Sequence, residues 1–176
     1  MPVAAKSITD AEIDKFLVSA PKTAATIQRI KGKIRKDKEM SKLLSDAQVE
    51  GGYMRQLVKL VKEWPEYSEL EQSAKESGFS SVGEWAFVSD RVLGVIMSAN
   101  WVVLTGSLKT AKSKSPALTM KTNLFSYLND ESTSSGLRKK FSDQLKEVCE
   151  RLCYDTSDLP VVGARYEEVQ SAINAM

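Results

Sequence analysis

The chain contains no histidine. Histidine is the usual general base near neutral pH and a frequent zinc ligand, so its absence removes Ser-His and Cys-His nucleophilic designs and most zinc sites. Cysteine is scarce too: Cys149 and Cys153 are too few for a disulfide framework and do not fix the redox compartment. Their four-residue spacing on one predicted helix makes a disulfide between them awkward, because both side chains lean the same way. Two small apolar side chains buried beside Leu145 and Leu152 are the simpler expectation. No glycine-rich phosphate loop appears, and Asn129-Asp130-Glu131 is too short for a calcium loop. Ser-Lys pairs are numerous, but no spacing singles one out. The pairs Glu147 with Glu150 and Glu167 with Glu168 have lysine or arginine close by and read as solvated helix faces. No catalytic residue, metal ligand or cofactor is therefore assigned.

Long apolar runs are also lacking. Val92 to Leu108 is 17 residues without charge, but it includes Gly94, Ser98, Asn100, Thr105, Gly106 and Ser107. A membrane span needs about 20 mainly apolar residues, so this run is expected to be a buried helix and the chain not to span a membrane. The first ten residues have neither the charged start nor the apolar core of a signal peptide. The chain is then either cytoplasmic or a mature form in which Met1 replaces a removed signal, with Ala4 and Ala5 near the mature start.

What is present suits one globular domain. The 176 residues are 42% hydrophobic and 27% charged with a net charge of +2, and a chain of this size buries roughly 70% of the surface it exposes when unfolded. Residues 1–45 carry ten Lys or Arg against five Asp or Glu, whereas residues 46–91 carry five against nine. The front is basic and the middle acidic.

Apolar spacing is helical throughout, and no alternating β-branched run predicts a strand. Thr9 with Glu12 forms a capping box opening a short helix that buries Ile13, Phe16 and Leu17 before Pro21 opens the next. Ile27, Ile30, Ile34, Met40, Leu43 and Leu44 continue from Lys22 to about Leu44, with Gly32 and the charges around Asp37 as weak points. Gly51-Gly52 separates a short helix that stops near Trp64-Pro65. Pro65 starts another helix, with Gly78 as its stop. Ser81 with Glu84 reads as a second capping box. It opens a central helix over 82–105 whose stripe of Trp85, Val88, Val92, Val95, Ile96, Ala99, Val102 and Val103 predicts neighbours on several sides. Residues 106–118 form the best loop candidate. Helices follow over Met120–Leu128, along the stripe Leu137, Phe141, Leu145, Val148 and Leu152, and from Asp158 through Tyr166, Val169 and Ile173. The expected fold is an all-α, single-domain bundle of six to seven helices around the central one.

Three constellations are candidate sites. Trp85, Phe87, Met97 and Trp101 could line a cavity for a small apolar ligand, as bundles place such sites between helices; core packing is the simpler account. Asp90 and Arg91 sit among apolar turns and need partners if buried, with Glu84 and the acidic residues of 63–76 as candidates. Arg29, Lys31, Lys33, Arg35, Lys36 and Lys38, with Lys42, form a basic run that could contact phosphates. Asp37 and Glu39 interrupt it and no aromatic residue between Phe16 and Tyr53 offers a stacking platform, so a solvated face is preferred to nucleic-acid binding. Lys109, Lys112 and Lys114 with Arg138, Lys139 and Lys140 would form a second patch only if the fold gathers them.

With Gly78-Phe79, Trp85 and Asp90-Arg91-Val92, joined to the opening Ile8-Thr9-Asp10-Ala11-Glu12-Ile13-Asp14-Lys15-Phe16-Leu17, the chain resembles small exported all-helical proteins of Gram-negative bacteria that have no assigned function. The resemblance covers residues 8–104. It implies a mature periplasmic protein and supplies no catalytic residues. The reading that combines these observations is a non-catalytic cell-envelope accessory protein, monomeric or a small homo-oligomer, that binds a protein or envelope component through a helical face. A carrier of a small apolar ligand and an anion or nucleic-acid binder through residues 29–42 are the alternatives.

Overall fold

A computed structural model describes residues 6–110 and 123–176, with residues 107–110 described by their backbone alone. Nine helices are found among the described residues and no strand: α1 Asp10–Ile34, α2 Lys38–Val49, α3 Tyr53–Leu60, α4 Pro65–Glu76, α5 Val82–Thr110, α6 Leu124–Asn129, α7 Ser135–Leu152, α8 Asp158–Gly163 and α9 Tyr166–Asn174. The fold is all-α, and α5 is its axis, in contact with α1, α3, α4, α7, α8 and α9. By length and composition Val82–Gly106 could cross a membrane, and 67% of its most apolar window is buried inside the protein.

Helix starts follow local chemistry. Thr9 and Glu12 make the expected capping box, the Glu12 amide donating to the Thr9 hydroxyl at 3.2 Å and the Thr9 amide to the Glu12 carboxylate at 2.7 Å. Asp37, Asn123 and Ser134 cap α2, α6 and α7 by accepting first-turn amides, without the return bond of a box. At the start of α5 only half of the box forms. The Glu84 amide donates to Ser81 Oγ, but the Glu84 carboxylate turns to the amide and hydroxyl of Ser80. These two bonds hold its carboxyl below the usual range. Gly78 ends α4 with φ +91, as expected of a left-handed stop.

Several boundaries differ from the sequence reading. Pro21 lies inside α1 and opens no new helix. A proline here removes one backbone hydrogen bond and crowds the preceding turn. Buried Ile13, Phe16 and Ala20 before it and Ile27, Ile30 and Ile34 after it share one core-facing stripe, so packing holds the helix continuous. The chain breaks between α1 and α2 around Asp37 instead of at Pro21, and the C-terminal segment is divided at Ala164-Arg165 into α8 and α9; nine helices are found among the described residues, against the six to seven expected. The helical backbone runs to Thr110, beyond the expected end at 105; the rest of the predicted loop, Lys112, Lys114, the first residues of the Met120–Leu128 helix, and Ala4 and Ala5 lie outside the described residues.

Cys149 and Cys153 are joined in a disulfide, which corrects the expectation of two reduced side chains. The spacing is no obstacle because α7 ends at Leu152. Cys153 is extended, with ψ 151, and the turn brings the two Cα atoms to 4.8 Å. Leu152 is lodged between two glycines at this turn. A Cβ on Gly94 of α5 would lie 2.6 Å from the Leu152 carbonyl oxygen, and one on Gly51, whose φ is +71, would lie 2.3 Å from it. Gly94→Ala must therefore push the end of α7 from α5, and is expected to lower the unfolding free energy by about 1–3 kcal/mol in urea denaturation. An unchanged midpoint would show the two backbones to be less closely packed.

Candidate functional site

The two charges in α5 are buried and paired, but with neither of the expected partners. Asp90 accepts the amides of Met54 at 2.7 Å and Arg55 at 3.1 Å and the Arg55 Nε at 2.9 Å. It thus caps α3 from another helix, where the residue in the capping position, Gly52, has no side chain to do so. Burial pushes the Asp90 carboxyl up, against the pull of Arg55 and the two amides. Arg91 binds Asp158 through two bonds, at 2.8 and 2.6 Å, and its Nη2 also donates to the Lys6 carbonyl at 2.7 Å. Asp158 accepts the Ile8 amide at 2.7 Å as well. The bidentate bond to Asp158 raises the Arg91 pKa further. Phe87, half-buried, has the guanidinium groups of Arg55 and Arg91 at 5.7 and 5.6 Å from its ring centre and packs edge-on against Tyr154. This knot has every charge matched and holds α3, α8 and the N-terminal segment to α5. It is architecture.

The basic run is dispersed. Arg29 pairs with Glu69 and Lys33 with Glu66, both on α4, and Lys33 also covers the Trp64 ring. The Lys33 bond holds the Glu66 carboxyl below its usual range. Lys31 and Arg35 line a separate cleft of about 330 Å³ with Tyr53. Burial there, reinforced by Arg35, lowers the Lys31 pKa, and burial raises that of Tyr53. Lys36 and Lys38 are exposed around the turn that separates α1 from α2. No continuous basic face results.

The aromatic cluster divides in the same way. Trp85 is fully buried and donates Nε1–H to Ser19 Oγ at 3.0 Å, so it belongs to the core, and Phe87 belongs to the ionic knot. Met97 and Trp101 remain together. Leu93, Met97, Trp101 and Leu104 follow the helical spacing 4, 4, 3 along one side of α5. The stripe emerges from the core: Leu93 and Met97 are half-buried, Trp101 is 53% exposed and Leu104 40% exposed. Val148, Arg151 and Leu152 of α7 form one wall beside it, and Gln48 with Val49 of α2 the other, enclosing a groove of about 350 Å³. Val49 is 70% exposed at its edge. Arg151 is the one ionisable side chain among the residues lining the groove.

The disulfide and the Gly51 and Gly94 contacts fix the end of α7 and thereby the position of the α7 wall. Val49 and Arg151 have no signal in the sequence, because the helix carrying Val49 reads as ending near Leu44 and Arg151 reads as a solvated charge. Among the described residues no group of three or more His, Cys, Asp or Glu could hold a metal ion. Comparison with protein families, with curated proteins and with solved structures finds no match to this chain.

Proposed function

We propose that the protein is a non-catalytic binding protein of the cell envelope, and that the groove between α2, α5 and α7 receives an amphipathic helix of a partner protein. The observation that carries this reading is Trp101. A large aromatic side chain stands half out of the protein within an apolar stripe whose neighbours toward the core, Met97 and Leu93, are half-buried. Tryptophan is, with tyrosine and arginine, enriched among the residues that anchor interfaces. A groove walled by two helices suits the apolar face of a third, and Arg151 at its rim favours a carboxylate on the flank of the incoming helix. The disulfide supports an oxidising compartment such as the periplasm.

A photo-crosslinking side chain at Val49, tested in living cells, examines this directly. The expected adduct is one protein segment with apolar residues three and four apart and an acidic flank. It is expected to disappear in Trp101→Ala, which should leave stability within about 0.5 kcal/mol of the parent. Adducts with lipid or small molecules alone, or the same adducts from a crosslinker at exposed Val18 on α1, would overturn the proposal.

A further inference from the structure

A second cavity, remote in composition from the Trp101 groove, lies between α6, α7 and α8. It holds about 670 Å³, within the range of small-molecule sites. Its floor is apolar, made by Phe125 and Leu128 of α6 and Leu159 and Pro160 of α8. The close seat of the Phe125 ring is possible only because position 163 is glycine: a Cβ there would lie 2.4 Å from a ring carbon.

The rim has one sign of charge. Arg138, Lys139 and Lys146 line the cavity, and no carboxylate is among its described lining residues. Arg138, Ser142 and Lys146 recur every four residues on α7, so the two cations lie on one side of the helix about 12 Å apart along the axis, both lining the cavity. Lys139 is paired with Asp143 at 2.6 Å. Arg138 and Lys146 make no ion pair within 4 Å among the described residues, although Arg138 is near enough to Asp130 to help Ser132 hold that carboxyl down, and the Arg138 Nε–H is buried with no acceptor. A buried donor on a charged group without a partner is uncommon and costly. Arg138 lines the cavity, and a turn of its side chain toward an acidic ligand there would give that donor its acceptor.

We infer that this cavity binds a small amphipathic anion, a carboxylate or phosphate monoester carried on an apolar body, with the acid group held by Arg138 and Lys146 and the apolar body laid against Phe125, Leu128, Leu159 and Pro160. Guanidinium and ammonium donors accept either acid. The apolar floor separates such a ligand from a bare anion, and the basic rim separates it from a neutral apolar molecule.

Titration calorimetry of the intact, oxidised protein with octyl phosphate, octanoate, octanol and inorganic phosphate tests the assignment. One saturable site is expected for octyl phosphate and octanoate, with octanol and inorganic phosphate each at least tenfold weaker. Arg138→Gln is expected to weaken both acids at least tenfold and to leave octanol unchanged, while Trp101→Ala leaves all four unchanged. Lys146→Gln, at an exposed side chain, gives the same weakening should Arg138→Gln prove unstable by circular dichroism. Absence of saturable binding by both acids, equal binding of octanol, or loss of binding in Trp101→Ala instead of the basic-residue variants overturns it.

Discussion

Asp158→Ala is expected to lower the unfolding free energy by about 3–5 kcal/mol, among the largest effects of any single substitution in the chain. The Asp158 side chain is 0% exposed and that of Arg91 6%. Removing the carboxylate leaves a guanidinium that cannot lose its proton in an apolar surround, and strips the Ile8 amide of its acceptor. Arg91 would keep one bond, to the Lys6 carbonyl, which is too little to solvate it. The loss should appear in urea denaturation and, locally, as faster hydrogen exchange at Ile8. Replacing both members together, Arg91→Leu with Asp158→Leu, is expected to be much less damaging than Asp158→Ala alone, because no buried charge is then left uncompensated. A loss below about 1 kcal/mol for Asp158→Ala would mean that water reaches Arg91 and that the pair is not a fastening of the fold.

The same logic accounts for the arrangement around α5. Several helices here are short, and short helices are marginal on their own. Caps also come from a distance: Asp90 reaches the first amides of α3, which has no local side-chain cap, and Glu71 accepts the Val82 amide at 2.8 Å beside the local Ser81 cap of α5. Consecutive residues Asp90 and Arg91 point to different neighbours, one to α3 and the other to α8 and the N-terminal segment. A central apolar helix with two adjacent charges thus sets both packing and order around it.

These pairings explain what could be read in advance and what could not. The all-α class, the single central helix, the Thr9–Glu12 box and the Gly78 stop depend on residues a few positions apart, and periodicity and turn chemistry expose them. That Asp90 and Arg91 would need partners is also legible, since charges within apolar turns demand it. Which partners is not: Arg91 and Asp158 are 67 positions apart, and Asp158 alone reads as an ordinary helix-start residue. Arg29 and Lys33 look like a free basic face until α4 is laid against α1 and supplies Glu69 and Glu66. The disulfide is hidden for a local reason, because four-residue spacing forbids it only while the helix continues through Cys153. In the candidate groove, Met97 and Trp101 are visible as large apolar residues on α5, but Val49 and Arg151 join them only through tertiary packing.

The contrast between two tryptophans on one helix gives the second large effect. Trp85 and Trp101 are 16 positions apart, which places them about 160° apart around the helix axis. One therefore faces the α1 side of the core and the other the open groove. Trp85→Ala is expected to lower the unfolding free energy by about 3–5 kcal/mol, since a fully buried indole leaves a cavity that close packing cannot refill. Most of this loss is volume. Ser19 Oγ loses the Trp85 donor but still donates to the Phe16 carbonyl at 2.8 Å, so its hydroxyl is not left without a bond. Trp85→Phe should accordingly retain more than half of the lost stability. Trp101→Ala removes a side chain of equal size from the same helix and is expected to change stability by no more than about 0.5 kcal/mol. Matched urea titrations of the three variants decide the point: a large loss at 101 would make its indole part of the core and withdraw it from binding, whereas a small loss at 85 would mean that the core beside Ser19 is loosely packed.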